Sequence, residues 1–293
     1  MTNETGSGHT GRGKVARERL DVLLVERGLA PSRERARALI MAHEVRVNGE
    51  VVSKAGAMVP REAECILTGG AELRFVSRGG LKLERALDVF GLDPADLVCV
   101  DVGASTGGFT DVLLRRGATK VYAIDVGRGQ LAWALQRDPR VVVMDRTNIR
   151  HVERLPEIAG CAVIDTSFIS LRLVLPHTAP LVRARGWIVA LVKPQFEAGR
   201  EEANRGAGVI SDPAVHRRVL RELLDWLESQ PSLTPRGLAV SPITGRDGNH
   251  EYLLWLAVNA PGMPAGAGEA EIEAAIAQAF GAPGEAEHAG ARA

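Results

Sequence analysis

The run Leu97-Val98-Cys99-Val100-Asp101-Val102-Gly103-Ala104-Ser105-Thr106-Gly107-Gly108-Phe109-Thr110 constrains this chain more than any other stretch. An apolar, β-branched segment ends in an acid, breaks into glycines and turns helical at Asp111-Val112-Leu113-Leu114. That order reads as buried strand, tight turn and helix N-terminus. The glycines let the main chain turn sharply and approach a ligand with no Cβ in the way. A second strand, Lys120-Val121-Tyr122-Ala123-Ile124, ends in Asp125. An acid in that place commonly takes the ribose hydroxyls of an adenosine-bearing ligand.

Spacing narrows the ligand. A dinucleotide site needs G-x-G-x-x-G, whereas here Gly103 is followed by Gly107-Gly108 and preceded by Asp101. An acid before the first glycine does not suit a pyrophosphate. It suits a cationic, phosphate-free cofactor, of which S-adenosylmethionine is one. A glycine turn that serves packing alone is the competing reading at this point.

From residue 97 onward, strands near 97–101, 120–125, 140–144, 160–165 and 187–193 alternate with helices, which implies a doubly wound parallel sheet. Its strand ends carry Asp101, Asp125, Asp145, Asp165 and Lys193 along the edge where such sheets bind ligands. Asp212-Pro213 opens a helix with Leu220, Leu223, Leu224 and Leu227 on one face. Strands around 236–241 and 251–258 then form an antiparallel hairpin at the sheet edge, with Glu251 opening the last. Ahead of the sheet, a helix over 81–90 shows an apolar stripe of Leu83, Ala86, Leu87 and Phe90. Lys82 lies off that stripe, and the ordinary place for such a lysine is solvent.

At 293 residues the chain has room for about two domains. The second lies in the first seventy positions. A short helix from Leu20 is stopped by Gly28, Ser32 caps an arginine-rich helix, and Val45–Val52 alternates around Asn48-Gly49, a hairpin signal. Two helices and a hairpin in this order resemble the RNA-binding domain named after ribosomal protein S-four. The resemblance implies a basic face for structured RNA, built here from Arg33, Arg35, Arg37, Arg46 and Lys54 with Arg17 and Arg19 ahead of them. Such a face reads shape and phosphate and would position rather than specify. The expected organisation is a disordered basic arm at 1–17 (Arg12 and Lys14 included), the RNA-binding domain at 18–70, a linker at 71–80, the sheet domain at 81–259 and an acidic low-complexity tail at 260–293. Within that tail, 269–280 reads as a weak helix.

The net charge is zero, but residues 261–293 hold five acids against Arg292, leaving the rest at +4. No apolar run approaches the ~20 residues of a membrane span, and the first residues carry no signal-peptide core. Cys65, Cys99 and Cys161 lack metal-ligand spacing. A cytosolic protein without metal, membrane contact or an obligatory protein partner is the expectation.

Methyl transfer from a sulfonium to a ribose hydroxyl is an in-line displacement, so a protein must align the reactants and manage one proton. An unperturbed lysine titrates near ~10.4, and burial or neighbouring cations lower that value. Two lysines balanced by two acids meet the need, one lysine accepting the proton and the others setting its charge and geometry. Lys82, Asp165, Lys193 and Glu251 supply that set, and in chain order they match the K-D-K-E tetrad of FtsJ-like RNA 2′-O-methyltransferases.

The strings Ser77–Leu83, Asp101–Thr110, Asp145–Asn148, Asp165–Leu171 and Lys193–Gly199 further resemble the TlyA family, over roughly 15–258. That family joins an S-four-like domain to an FtsJ-like methyltransferase, and many members bear a haemolysin name. The resemblance implies a small α+β RNA-binding domain followed by an α/β, Rossmann-like class I methyltransferase sheet with an antiparallel C-terminal edge. It implies 2′-O-methylation of cytidine in bacterial rRNA, with S-adenosylmethionine as cofactor and the 30S and 50S subunits as partners. By motif, Asp101, Gly103 and the Gly107-Gly108 turn, with Ala104, Ser105, Thr106 and Phe109 in the same stretch, would hold the methionine part. Asp125 would take the ribose and Asp145 the adenine amino group. Arg74-Phe75-Val76-Ser77 falls in the family's interdomain linker, and the start before Leu20 matches the longer members that modify both subunits. A haemolytic protein would need a spanning segment, and an RNA-binding assembly factor without methyl transfer would show a damaged turn or tetrad. Neither is seen in the sequence.

Overall fold

A computed structural model gives the fold and describes residues 16–30, 32–67, 74–199, 202, 208–245, 247–259 and 266–281. Residues 1–15, on which the arm and the longer-type reading rest, lie outside the described residues, as do 68–73, 260–265 and 282–293. The chain divides after Glu72 into two compact units.

In the first unit β1 (Arg17–Arg19) leads into α1 (Leu20–Glu26), and α2 (Arg33–Met41) follows. The Ser32 side chain accepts from the Arg35 amide, capping α2 as its sequence predicts. β2 (Val45–Val47) and β3 (Glu50–Val51) pair around Asn48 and Gly49, both at positive φ. β4 (Met58–Pro60) pairs with β1, and β5 (Cys65–Leu67) pairs with β2. Arg17, placed in the arm by sequence, therefore starts a strand, because its neighbours align with Met58–Pro60.

One carboxylate ties this unit together. Asp21 is fully buried and accepts from Arg19 Nε and Nη2, both at 3.0 Å, and from Arg33 Nη2 at 3.2 Å. The bonds from Arg19 and the charge and bond of Arg33 outweigh burial and hold this carboxyl below its usual range. β1, α1 and α2 are thus joined through a single charge cluster.

The second unit is a three-layer sandwich around a seven-stranded sheet of order β11-β12-β10-β9-β6-β7-β8. β6 (Val98–Val102), β7 (Lys120–Ile124), β8 (Val141–Met144), β9 (Ala159–Ile164) and β10 (Val182–Val192) run parallel. β12 (Tyr252–Val258) enters antiparallel between β10 and β11 (Leu233–Val240). Period-2 alternation sends Cys99, Val121, Cys161 and Val189 to one face, where α3 (Gly79–Phe90) and α4 (Gly108–Arg115) cover them. Val100, Ile164, Ile188 and Leu254 face the other side, against α6 (Leu171–Thr178) and α8 (Pro213–Glu228). α5 (Trp133–Gln136) and α7 (Pro194–Glu197) are single turns on the ligand edge and after β10.

Two segments are more ordered than their composition suggests. α3 starts at Gly79, and Phe75, read as linker, is buried between the guanidinium groups of Arg74 and Arg115 at 5.5 and 5.4 Å. Gly80 makes room for it, since a Cβ there would lie 2.4 Å from the ring. In the stretch read as tail, α9 (Glu269–Phe280) buries Ile272, Ala275 and Ile276 in the α8 core. Its Glu269 and Glu273 pair with Arg221 and Arg217 of α8, so the acids that looked like a solvated tail are partly neutralised. Among the described residues no helix is long and apolar enough to cross a membrane.

Replacing Asp21 with Asn should cost the first unit about 1.5–3 kcal/mol, the scale of hydrogen bonds to a charged group. The lowered carboxyl contributes stability that is fully present above the unfolded value of ~3.9 and is lost as pH falls through its folded value. Urea titrations at pH 7 and pH 3 should show a smaller acid loss in Asp21→Asn; an unchanged pH 7 midpoint would refute the assignment.

Candidate active site

The ligand edge is built where parallel strands run out. Beyond β6 the chain turns through Gly103 at φ 85° and Ser105 at φ 46°, and Gly107 at φ 94° leads into α4. At Gly103 a Cβ would meet the Asp165 carbonyl oxygen at 2.5 Å, so close approach between the β6 and β9 loops requires glycine. The Ser105 amide donates to Asp125 Oδ2 at 2.8 Å, and the Gly127 amide donates to Oδ1 at 2.7 Å. Asp125 therefore clamps the glycine turn while lining a cavity of about 420 Å³ with Gly103, Ser105, Gln130, Asn148 and Asp165.

Asp101 lies beneath the turn, fully buried, with Oδ2 accepting from Thr110 Oγ1 at 2.6 Å. Its Oδ1 has no partner, an uncommon state for a buried oxygen. Burial pushes this carboxyl up to about 7; the Thr110 hydroxyl opposes the shift, and the charges of Asp165 and Asp125 add to it. The negative charges of Asp165 and Asp125 beside the buried Asp101 carboxyl make the turn favourable to a cation.

The remaining predicted cofactor residues divide. Gly107 faces Leu131 and Leu135, and Phe109 is buried in the α4 core, so both serve packing. The Ala104 amide and the Thr106 carbonyl bond to the Ile124 carbonyl and the Ala132 amide. Asp145 Oδ2 accepts from the Gly129 amide at 2.7 Å, which holds a loop, while Thr147 and Asn148 just after it line the cavity. Thr110, Gln130, Thr147 and Asn148 carry no role assigned from the sequence, although Thr110 lies in the glycine-turn string and Thr147 and Asn148 in the Asp145–Asn148 string; Gln130 has no such signal.

At the other end of the edge the four predicted charges assemble as two pairs. Lys82 Nζ meets Glu251 Oε2 at 2.5 Å, and Lys193 Nζ meets Asp165 Oδ1 at 2.6 Å. Lys193 also donates to Ser167 Oγ at 3.0 Å. Lys82 and Lys193 are each only 8% exposed and Glu251 is 3% exposed. Lys82 is buried despite lying off the α3 stripe, because Glu251 gives its charge a partner. Burial alone would raise Asp165, but the charges of Lys193 and Lys82 reverse that and hold it below the usual carboxylate range. Both lysines therefore act on one acid.

Glu251 is positioned by its neighbours. The Tyr252 hydroxyl lies 2.8 Å from His216 Nδ1, and His216 Nε2 lies 2.9 Å from the Ile210 carbonyl. A carbonyl only accepts, so Nε2 carries the hydrogen and Nδ1 accepts the hydrogen bond that the Tyr252 hydroxyl donates. Asn249 bonds the Ile210 amide and the Gly208 carbonyl from the same loop.

Of the basic positions predicted for RNA, Arg37, Arg46 and Lys54 are exposed. Arg46 also donates to the Gly49 carbonyl, and Arg17 to the Met58 carbonyl. Arg35 is half-buried on α2. Arg19 and Arg33 are engaged by Asp21, a use that the basic pattern did not reveal. Among the described residues no group of three His, Cys, Asp or Glu side chains could hold a metal ion.

Comparison with known proteins gives the chain's family. The 16S/23S rRNA (cytidine-2′-O)-methyltransferase TlyA of Mycobacterium tuberculosis is 44% identical, over 82% of this chain and 90% of its own. The 23S rRNA (cytidine-2′-O)-methyltransferase TlyA of Campylobacter jejuni is 31% identical, over 80% and 98%. A Streptococcus thermophilus structure bearing a hemolysin name superposes with a TM-score of 0.70 at 43% identity, covering 90% of this chain and 96% of that one. Residues 18–65 match the S4 domain. Residues 75–258 match the FtsJ-like methyltransferase model, and the chain belongs to that family.

Proposed function

We propose that this protein transfers a methyl group from S-adenosylmethionine to the 2′-hydroxyl of cytidine in 16S and 23S rRNA, acting on 30S and 50S subunits. The observation that carries the reading is the pair of buried lysine–carboxylate contacts beside a cavity whose acids favour a cation. The named activities of the two TlyA relatives support the nucleoside, and the higher identity to the 16S/23S enzyme supports two targets.

The cofactor fits this turn: it supplies a methyl group on a cationic sulfonium. The Asp125 carboxylate on the cavity wall would hold it, with Gly103 and Ser105 giving close main-chain approach, and Asp101, buried beneath the turn with one oxygen unpartnered, would act on it through its charge. Asp165 both lines the cavity and holds Lys193, so a ribose hydroxyl brought against it reaches the amine. The ribose oxygen would gain the methyl carbon as the carbon–sulfur bond breaks and the sulfur leaves as a neutral thioether; the hydroxyl proton would pass to Lys193 Nζ once that amine has given its own third proton to solvent. Lys82 is a second cation whose charge, with that of Lys193, acts on Asp165, and Glu251 orients Lys82. The exposed Arg37, Arg46 and Lys54 are the phosphate contacts of the first unit.

Purified 30S and 50S subunits lacking the modification should both accept labelled methyl groups, each at one cytidine resistant to alkaline cleavage. Label on neither, with cofactor bound, would refute the function; label on 50S alone would confine it to 23S rRNA.

Lys193→Arg keeps a cation but cannot give up its proton. It should lose methyl transfer by at least about 100-fold with cofactor affinity retained. Near-normal turnover would make Lys193 a fixed charge instead of a proton acceptor.

Because Asp101 titrates at about 7, cofactor affinity should fall between pH 8 and pH 6 as the carboxyl becomes neutral, with proton release on binding at pH 7. Calorimetry in buffers of different ionisation enthalpy measures this. Asp101→Asn should bind weakly with no such slope; a slope retained there would assign the titration to another group.

A further inference from the structure

Two motifs of the sequence, Asp165–Leu171 and Lys193–Gly199, contribute only Asp165 and Lys193 to the chemistry above, yet the structure fastens them along their length. Besides the Lys193 contacts to Asp165 and Ser167, the rings of Phe168 and Phe196 lie 5.0 Å apart. At the far end Glu197 Oε2 accepts from Ser170 Oγ at 2.6 Å and Oε1 accepts from the Leu171 amide at 2.7 Å. Ser170 in turn accepts from the Arg172 amide. The N-terminus of α6 is thus completed by a carboxylate from another element, where negative charge is favourable.

We propose that Glu197 is a positioning residue: by holding Ser170 and Leu171 it fixes the Asp165 loop on the Lys193 turn and so sets the Lys193–Asp165 contact. Both ends of the link are stiff. Pro194 opens α7, and the amides of Phe196 and Glu197 bond the Lys193 carbonyl at 2.9 and 3.3 Å, so Glu197 moves with Lys193. The span between is held only by the Ser167 bond to Lys193 and the Phe168–Phe196 ring contact. Ser167 and Phe168 are exposed, Phe168 by 90%, and Phe168 sits at φ 63°, a strained place for an aromatic residue. A loop of that kind keeps its register only when its far end is held. Burial raises the Glu197 carboxyl, while Ser170, Leu171 and the Arg172 charge oppose the rise.

The proposal rests on the methyl-transfer reading for its consequence but not for its geometry, and the test separates the two. In the full-length protein, amide hydrogen exchange at Leu171 should speed up on the order of tenfold in Glu197→Ala. Turnover on rRNA should fall on the order of ten- to a hundredfold, as expected for a displaced catalytic pair. The pH profile of kcat should move, while the KM for S-adenosylmethionine stays within about twofold. Glu197→Gln keeps an acceptor for Leu171 and should recover most of the turnover. Ser170→Ala removes the partner from the other side and should reproduce the Glu197→Ala shift, which decides the matter where Glu197→Ala does not fold. Faster exchange with unchanged kcat and pH profile would reduce Glu197 to a helix cap. Glu197→Gln as slow as Glu197→Ala would make its charge, not its bonds, the active feature. Were the parent protein inactive on both subunits, the function would fall, and the clamp would be judged by whether amide exchange at Asp165 speeds up together with that at Leu171 in Glu197→Ala; faster exchange at Leu171 alone would leave Glu197 a helix cap.

Discussion

Burying charge is costly, and the second unit buries three charges, Lys82, Lys193 and Glu251, beside a half-buried fourth, Asp165. Lys82, Glu251, Lys193 and Asp165 tolerate this because each meets an opposite charge within 2.6 Å, leaving the group neutral as a whole. The partners come from α3, the ends of β9 and β10 and the start of β12. Neutrality therefore binds helix and sheet together: removing one member strands its partner in a site with little access to water. The same arrangement leaves Asp165 on the cavity wall, where a substrate hydroxyl can reach the pair.

Across the cavity the opposite device operates. Asp101, Asp125 and Asp165 are like charges near one another, and only Asp165 has a lysine to compensate it. The site is thus graded, from an excess of negative charge under the glycine turn to balance at the tetrad. A ligand carrying a positive centre gains most at the first end, and a neutral hydroxyl gives up its proton most readily at the second. Placement on successive strand ends of one sheet gives both ends a rigid frame.

Much of this was legible because parallel strands announce their ends. Apolar runs closing on Asp101, Asp125, Asp165 and Lys193 place those side chains on one edge whatever the helices do. Less legible were residues whose surroundings come from far along the chain. Lys82 looks solvated on its own helix and is buried only because Glu251 meets it. Asp21 looks like an ordinary first-turn acid and is instead the anchor of Arg19 and Arg33. Phe75 hides among linker-like glycines and reveals itself only through the notch at Gly80. The helix over 269–280 was hardest to weigh, since its alanines and acids match solvent as well as they match the arginines of α8. Pattern shows periodicity; pairing across the fold decides burial.

The order of assembly carries a further consequence. Lys82 and Glu251 are separated by 169 positions, and Glu251 arrives on a strand that must insert between β10 and β11. While the chain is being synthesised, every intermediate length shorter than this final insertion holds Lys82 without its counter-charge. The proposed reaction site is thus incomplete in the nascent protein until the sheet closes, and a product truncated within the last hairpin is left with an unfilled gap beside β10.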